Sequence, residues 1–246
     1  LAARRLHRPD DVEEQRFAAT DGRVRTGHAK PAVVTVTGLV TAGRWDGRRH
    51  GEHFRPAPHA ADAALRRSKR ESALRSVAAG MADRPVQTEV WNEVGVRLER
   101  FGVDSQSSNL GDVFEQRADQ IGALADDIEA QPDQVGTLAC VGGEPIALDV
   151  VSRPEAFAAL HDRLVRGYAL DALSAGRVHG EAADPTQAGA FFARVMSASR
   201  RPTATYGLGE AHTLVGPQVV GSSLSLDDEL IALCAFPSSE TRNDIV

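Results

Sequence analysis

The sequence predicts an α+β fold: a mixed or antiparallel β-framework packed with several helices. Two stretches carry that prediction. Val135–Val151, VGTLACVGGEPIALDVV, is two apolar runs joined by Gly142-Gly143, the pattern of a β-hairpin. Val220–Phe236, VGSSLSLDDELIALCAF, aligns with it without a gap at an offset of 85 residues. Six of the 17 positions are identical, and Asp227-Asp228 stands at the second turn. Around these hairpins apolar residues recur at helical spacing, and helices and strands alternate irregularly. That order favours α+β over a doubly wound parallel sheet.

Residues 1–31 are charged and weakly patterned, which predicts a loosely structured N-terminal arm, truncated because the chain opens at Leu1 rather than Met. Residues 32–236 are expected to form one α+β domain, and residues 237–246 a polar tail. Ala32–Val40, AVVTVTGLV, is β-branched and predicts a strand that ends at Gly43-Arg44-Trp45. Ala60–Ala79 predicts a helix with a basic face of Arg66, Arg67, Lys69, Arg70 and Arg75, and with Leu65, Ala73, Leu74 and Val77 inward. Pro85 opens a second helix whose stripe is Val90, Trp91, Val94, Leu98 and Phe101, closed by Gly102. Asn109 caps a third, which is expected to run past Ile121 and Leu124 to Pro132.

After the first hairpin, Ser152 and Glu155 form a capping-box pattern with Pro154 in the first turn. The helix they start is expected to reach about Ala175, with Phe157, Leu160, Leu164, Tyr168 and Ala172 buried. Asp184-Pro185-Thr186-Gln187 starts another, followed by a strand-like segment near Thr203–Tyr206.

Composition bounds the function. The chain has 246 residues, 42% apolar and 25% charged, which suits a globular protein with a sizeable core. Its net charge is −6, with 19 basic against 13 acidic side chains in residues 1–100 and 9 against 21 beyond. The basic helix lacks interleaved aromatics, so no nucleic-acid partner is expected. No apolar run reaches membrane-spanning length, so no membrane partner is expected either. Cys140 and Cys234 both sit in apolar strands, which predicts reduced thiols and a cytoplasmic location. Of 28 basic residues only Lys30 and Lys69 are lysines, a bias that follows from codon usage rather than from phosphate binding.

Candidate chemistry is sparse. His50, Glu52, His53 and His59 share a Gly/Pro-rich loop without helical metal-ligand spacing; a solvated loop is expected, and no metal. Gly207-Leu208-Gly209 lacks the third glycine of a dinucleotide turn, and no cofactor is expected. His161 is expected to be a partly exposed helical residue. Asp171 lies three residues from Tyr168 on one helical face, an odd charge beside an apolar stripe.

Taken in order, Gly43-Arg44-Trp45, Gln87-Thr88-Glu89-Val90-Trp91-Asn92-Glu93-Val94, Phe101-Gly102-Val103, Ser152-Arg153-Pro154-Glu155, Tyr168-Ala169-Leu170-Asp171, Gly207-Leu208-Gly209-Glu210 and Leu233-Cys234-Ala235-Phe236 form a set. This set resembles the ARG and rhodanese-phosphatase-superfamily-associated protein domain, a bacterial and archaeal family, over roughly residues 38–236. The resemblance implies a role near NAD or ADP-ribose metabolism, because the family is named for gene neighbourhoods that include ADP-ribosylglycohydrolases. It implies no reaction, cofactor or catalytic residue. Leu39-Val40-Thr41-Ala42 and Ala232 depart from the family pattern, which favours a binding or structural role.

Three functional expectations follow. In the first, the module binds a small anionic metabolite such as a nucleotide or ADP-ribose derivative. Arg44 forks onto phosphate, Trp45 stacks, and Trp91 and Tyr168 lie nearby. In the second, the protein is a hydrolase with Asp171 or Glu210 as general base. In the third, it is a structural or interaction module, a homodimer joined through a sheet edge. Arg44, Trp91, Tyr168 and Asp171 are expected in one neighbourhood, with Asp171 paired to an arginine, foremost Arg44.

Overall fold

Six antiparallel strands organise the described residues. The computed structural model describes residues 57–78, 87–106, 108–176, 183–203 and 208–238. Strands β1 (Gly136–Val141), β2 (Glu144–Val151), β3 (Ser199–Thr203), β4 (Glu210–Gly216), β5 (Val219–Leu226) and β6 (Glu229–Pro237) stand in the order β1-β2-β6-β5-β4-β3. Every neighbouring pair is antiparallel. The described helices are α1 (Ala63–Ala78), α2 (Gln87–Phe101), α3 (Leu110–Gln116), α4 (Ala118–Ala125), α5 (Pro154–Ser174) and α6 (Pro185–Met196). The fold is α+β, as the two hairpins implied. The expected arm, the Ala32–Val40 strand, Pro85, Gly207 and the tail beyond Ser238 lie outside the described residues.

The hairpin turns form where the sequence put them. Gly142 and Gly143 have φ of 59° and 85°, and Asp227 and Asp228 have φ of 51° and 64°. Two successive positive φ values are what a two-residue hairpin turn needs, and Gly and Asp tolerate them. The second strands of the two hairpins, β2 and β6, are neighbours in the sheet. The 85-residue offset equates Asp149 with Cys234, and these two are directly opposed across the β2–β6 ladder. An approximate two-fold relation between the hairpins therefore passes through this pair. Gly136 and Gly221 are also equivalents. A Cβ on Gly136 would lie 3.1 Å from the Asp149 carbonyl oxygen, and one on Gly221 2.3 Å from that of Cys234.

The helices form unequal layers. On one face Phe191 and Val195 of α6, with Ala198 just after it, pack against Leu148, Leu214, Leu233 and Ala235. On the other, α1 and α5 cover Ala139, Ala147, Val215, Val220 and Phe236. Beyond them α2, α3 and α4 build a second apolar layer on α1 and α5, with Val94, Leu98, Phe114 and Ile121 against Val165, Ala169 and Leu170. Helix α5 is apolar on two sides because it is covered on two sides.

Caps explain most boundaries. Gly102 has φ of 62°; its N–H donates to the Glu99 carbonyl and the Val103 N–H to that of Leu98, a Schellman closure of α2. Asn109 Oδ1 accepts from the Gly111 N–H, and Asp184 Oδ1 from the Thr186 N–H. Two expectations fail. The third predicted helix breaks in two at Arg117, whose guanidinium reaches back 2.6 Å to the Phe101 carbonyl and stacks on that ring. The Ser152 capping box does not form. Arg153 is the N-cap of α5, and the Ser152 N–H is taken by the Ile231 carbonyl of β6.

Gly221→Ala is expected to destabilise the protein by about 1–3 kcal/mol or more, because backbone rather than a flexible side chain fills the space a methyl would need. Urea unfolding compares it with Gly167→Ala, whose nearest atoms stand at 3.1 Å and which is expected to cost less.

Candidate functional site

The polar features of the molecule gather under and around α1. The ladder registers place Thr137, Asp149, Cys234, Ser222, Thr213 and Arg201 directly opposite one another in a single row across all six strands. Directly opposed residues share a face, so this row lies on the side covered by α1. Apolar rows flank it: Ala139, Ala147, Val220 and Val215 on one side, Val151, Ala232 and Leu224 on the other.

Helix α1 meets the row with its basic residues. Arg66 makes two parallel hydrogen bonds to Asp149, Nη1 to Oδ1 at 2.8 Å and Nη2 to Oδ2 at 2.7 Å. Arg66 Nη2 also donates to the Tyr168 hydroxyl at 3.0 Å, and that hydroxyl donates to Asp149 Oδ2. The ion pair is interior, with side-chain exposures of 6% and 0%. Burial works against the Arg66 charge, but Asp149 more than reverses it and holds the guanidinium protonated. Burial, then Asp149, pushes the Tyr168 hydroxyl well above the usual phenol range. Arg66 Nε–H is buried with no acceptor among the described residues.

One turn on, the carboxylates run out. Arg70 Nη2 stands 3.9 Å from Cys234 Sγ, which contacts Ser222 Oγ at 3.3 Å. Lys69 is half-buried beside them. Burial first, then the neighbouring Arg70 charge, lowers its pKa below the ordinary lysine value, while Cys234 opposes the shift. Neither Lys69 nor Arg70 has a carboxylate partner among the described residues. The row continues through Ser222 to Thr213, whose hydroxyl meets that of Thr203 at 2.9 Å. Cys140 differs: burial pushes its thiol up to about 12, so it is inert packing.

A second cluster holds the start of α1. Arg97 of α2 grips Asp62 through Nε and Nη2, both at 2.7 Å, and Glu93 at 2.8 Å. Burial opposes the Arg97 charge, and Asp62 and Glu93 raise its pKa above the ordinary value. Asp62 Oδ1 accepts from the Leu65 N–H, and Asp171 accepts from the N–H groups of Ala63 at 2.7 Å and Ala64 at 3.1 Å. Gly167, one turn before Asp171, lets the chain cross α5, with the Ala60 and Ala61 carbonyls 3.1 Å from where a Cβ would be. The Asp171 carboxyl is enclosed although the residue keeps some surface. Burial, then the Asp62 carboxylate, pushes it up to about 7, against the pull of the two N–H groups.

These positions correct several expectations. Among the described residues Asp171 has no arginine partner, and the first N–H groups of α1 supply its donors, while the expected partner Arg44 lies outside the described residues. Arg66 is not on an outward basic face but is the most deeply buried cation on α1. His161 is buried at 3%, edge-on to Phe157 and bonded to Asp162 at 2.9 Å. Trp91 and Tyr168 fall in different apolar clusters, Trp91 in the helical layer and Tyr168 between α1, α5 and the sheet. Glu210 lies at the start of β4, 82% exposed and 4.0 Å from His212, on the face opposite α1. Arg44, Trp45, His50, Glu52 and His53 lie outside the described residues. His59 stacks on Phe114; burial, then Arg166, lowers its pKa to about 4. Among the described residues no group of three His, Cys, Asp or Glu could hold a metal. A shallow groove of about 410 Å³ between Pro132 and Phe157 shares no residue with the polar row.

The family model of the ARG and Rhodanese-Phosphatase-superfamily-associated Protein domain matches residues 31–236. The chain belongs to this family. No curated protein matches it, and no solved structure does. The matched span covers the described sheet as far as Phe236, the polar row and both carboxylate clusters.

Sequence reasoning passed over Asp149, Arg66, Asp62 and Arg97. The signal for Asp149 was present: a carboxylate inside the apolar run Ala147-Leu148-Asp149-Val150-Val151 needs a buried cation.

Asp149→Ala is expected to cost about 3–5 kcal/mol, by stranding Arg66, and the double change Arg66→Met with Asp149→Leu less than that single one. Chemical denaturation of the three proteins checks the order. Because folding raises the Asp171 pKa, its stabilising contribution is full below about pH 4 and is lost as pH rises towards 7. Asp171→Asn should remove that part of the slope from stability measured between those pH values.

Proposed function

We propose that this domain binds a small anionic metabolite on the α1 side of the sheet, over the open half of the polar row. The observation that carries this reading is the half-buried Lys69–Arg70 pair, which faces a thiol and hydroxyls and has no carboxylate partner among the described residues. A cation held partly out of water costs stability unless an anion neutralises it. Arg70 supplies a guanidinium fork suited to phosphate or carboxylate, and the Ser222 and Thr213 hydroxyls can donate to the remaining oxygens. Asp149 and Tyr168 take up Arg66, so Tyr168 acts by fixing Arg66 and not by touching ligand. Arg44 and Trp45 enter the proposal on their side-chain chemistry alone. A nucleotide or ADP-ribose derivative is the ligand class that the family resemblance implies, and the cytoplasm is the compartment that two buried free thiols suit.

The hydrolase reading has less support. Both Asp171 oxygens are occupied by the backbone of α1, and Glu210 stands exposed on the other face.

Thermal unfolding with inorganic phosphate, nucleoside diphosphates and ADP-ribose tests the proposal. At a ligand concentration about 100 times Kd the added stability is about 2.7 kcal/mol, a Tm rise of about 5–10 °C for a chain of this size. Arg70→Gln is expected to abolish the rise. No rise with any of these anions at millimolar concentration overturns the proposal.

A further inference from the structure

The polar row carries a second cation at its far end. Cys234, Ser222, Thr213 and Arg201 stand opposite one another on β6, β5, β4 and β3. Arg70 Nη2 meets the first of them at 3.9 Å. Helix α1 packs on β2, β6 and β5. Beyond it the row opens: Ser222 and Thr213 are half-buried, and Arg201 and Thr203 are exposed. Arg201 precedes Pro202, which holds its backbone extended and so fixes the face its side chain takes. Pro202 also removes an N–H from β3, the edge strand, and so discourages another chain from pairing there. An exposed arginine alone is ordinary. Arg201 is distinguished by its place, in line with Arg70 and with hydroxyls between the two, and it has no carboxylate partner among the described residues.

We propose that the site takes a small molecule with two phosphate groups on either side of a neutral, hydroxyl-bearing spacer, one phosphate on Arg70 and the other on Arg201. This rests on the anion-site reading above and narrows its ligand class. Three strand spacings of about 4.8 Å set the Cys234 and Arg201 positions about 14 Å apart. Arg70 stands over the first position. Arg201 rises from the last, because strand side chains stand roughly perpendicular to the sheet. Two directly linked phosphoryl groups are too short for that span, whereas a spacer of several atoms matches it. Along the span lie the Ser222 hydroxyl and the Thr213 and Thr203 hydroxyls, which meet at 2.9 Å. Hydroxyls donate and accept, so they suit the hydroxyls of a sugar. Each guanidinium forks onto one phosphate. Sugar bisphosphates and nucleoside 3′,5′-bisphosphates share this plan.

Isothermal titration calorimetry separates the two sources and tests the span. The ligands are fructose 1,6-bisphosphate, adenosine 3′,5′-bisphosphate, fructose 6-phosphate, adenosine 5′-phosphate and pyrophosphate. Salt is held at about 0.15 M, where exposed charges are screened beyond about 8 Å. At least one bisphosphate is expected to bind about tenfold tighter than its monophosphate and than pyrophosphate, the worth of one charge-assisted contact. Which of them does so tells sugar from nucleoside. Arg201→Gln is expected to erase the tenfold advantage. Arg200→Gln changes the neighbouring residue, on the opposite face, and is expected to keep it. Both positions are exposed on the edge strand, so neither change removes a packed side chain. The second contact is overturned if bisphosphate and monophosphate bind alike, if pyrophosphate binds as tightly as both bisphosphates, or if Arg200→Gln loses as much as Arg201→Gln. In each of those cases the anion site at Arg70 stands. If none of the phosphate compounds binds, both readings fall.

Discussion

The packing of α1 on the sheet turns on one buried charge pair. Arg66 and Asp149 meet through two short parallel bonds in a region from which water is excluded, and Tyr168 closes the third side. Each belongs to a different element: α1, β2 and α5. A pair of this kind contributes little net stability compared with an apolar replacement, but once present it permits no sliding, since any shift strands a buried charge. It therefore sets the register of α1 against the sheet. Helix α1 needs such a device. Much of its sequence, Arg66-Arg67-Ser68-Lys69-Arg70-Glu71, offers no apolar stripe, and its apolar anchors are few: Ala63, Leu65 and Leu74. The second grip, Arg97 on Asp62 with Asp171 on the first N–H groups, fixes the other end of the helix. A polar helix is thus fastened at two points rather than glued along its length.

The sheet supplies the matching geometry through its repeated hairpins. The two-fold relation passes through Asp149 and Cys234, so equivalent positions in the two hairpins carry a carboxylate and a thiol side by side. One α1 cation is neutralised by the carboxylate; the next, Arg70, meets the thiol and has no carboxylate partner among the described residues. The two hairpins share a backbone plan, including the glycines at 136 and 221 that let a carbonyl come close, but they differ in charge at the position where α1 crosses. That difference divides the row into a closed structural half and an open half.

How much of this the sequence shows depends on which force set each feature. Hairpin turns and helix caps are local, so Gly142-Gly143, Asp227-Asp228, Gly102, Asn109 and Asp184 announce themselves. The Ser152 pattern was local too, but β6 took the Ser152 N–H first, a long-range hydrogen bond that no window of sequence contains. The break at Arg117 follows from a contact 16 residues away, at Phe101. Helix α1 inverts the usual rule that charged faces point outward, because its partner is a row of polar residues assembled from six separate strands. Only the register joins Thr137, Asp149, Cys234, Ser222, Thr213 and Arg201, and register is a property of the folded sheet.

The charge balance then decides where chemistry can occur. Asp62, Asp149 and Asp171 are each occupied: by Arg97, by Arg66 and by the backbone of α1. A general base needs lone pairs aimed at substrate, and the contacts of these three aim theirs at guanidinium or backbone N–H groups. Lys69 and Arg70 have the opposite surplus. Arg70 meets the Cys234 thiol, which in turn meets the Ser222 hydroxyl, and both are neutral groups. At half-burial, two adjacent like charges repel and each loses part of its hydration, which is why the Lys69 pKa falls. On the binding reading proposed above, an anion there would offset both effects, on the part of the row that lies beyond its one carboxylate, Asp149.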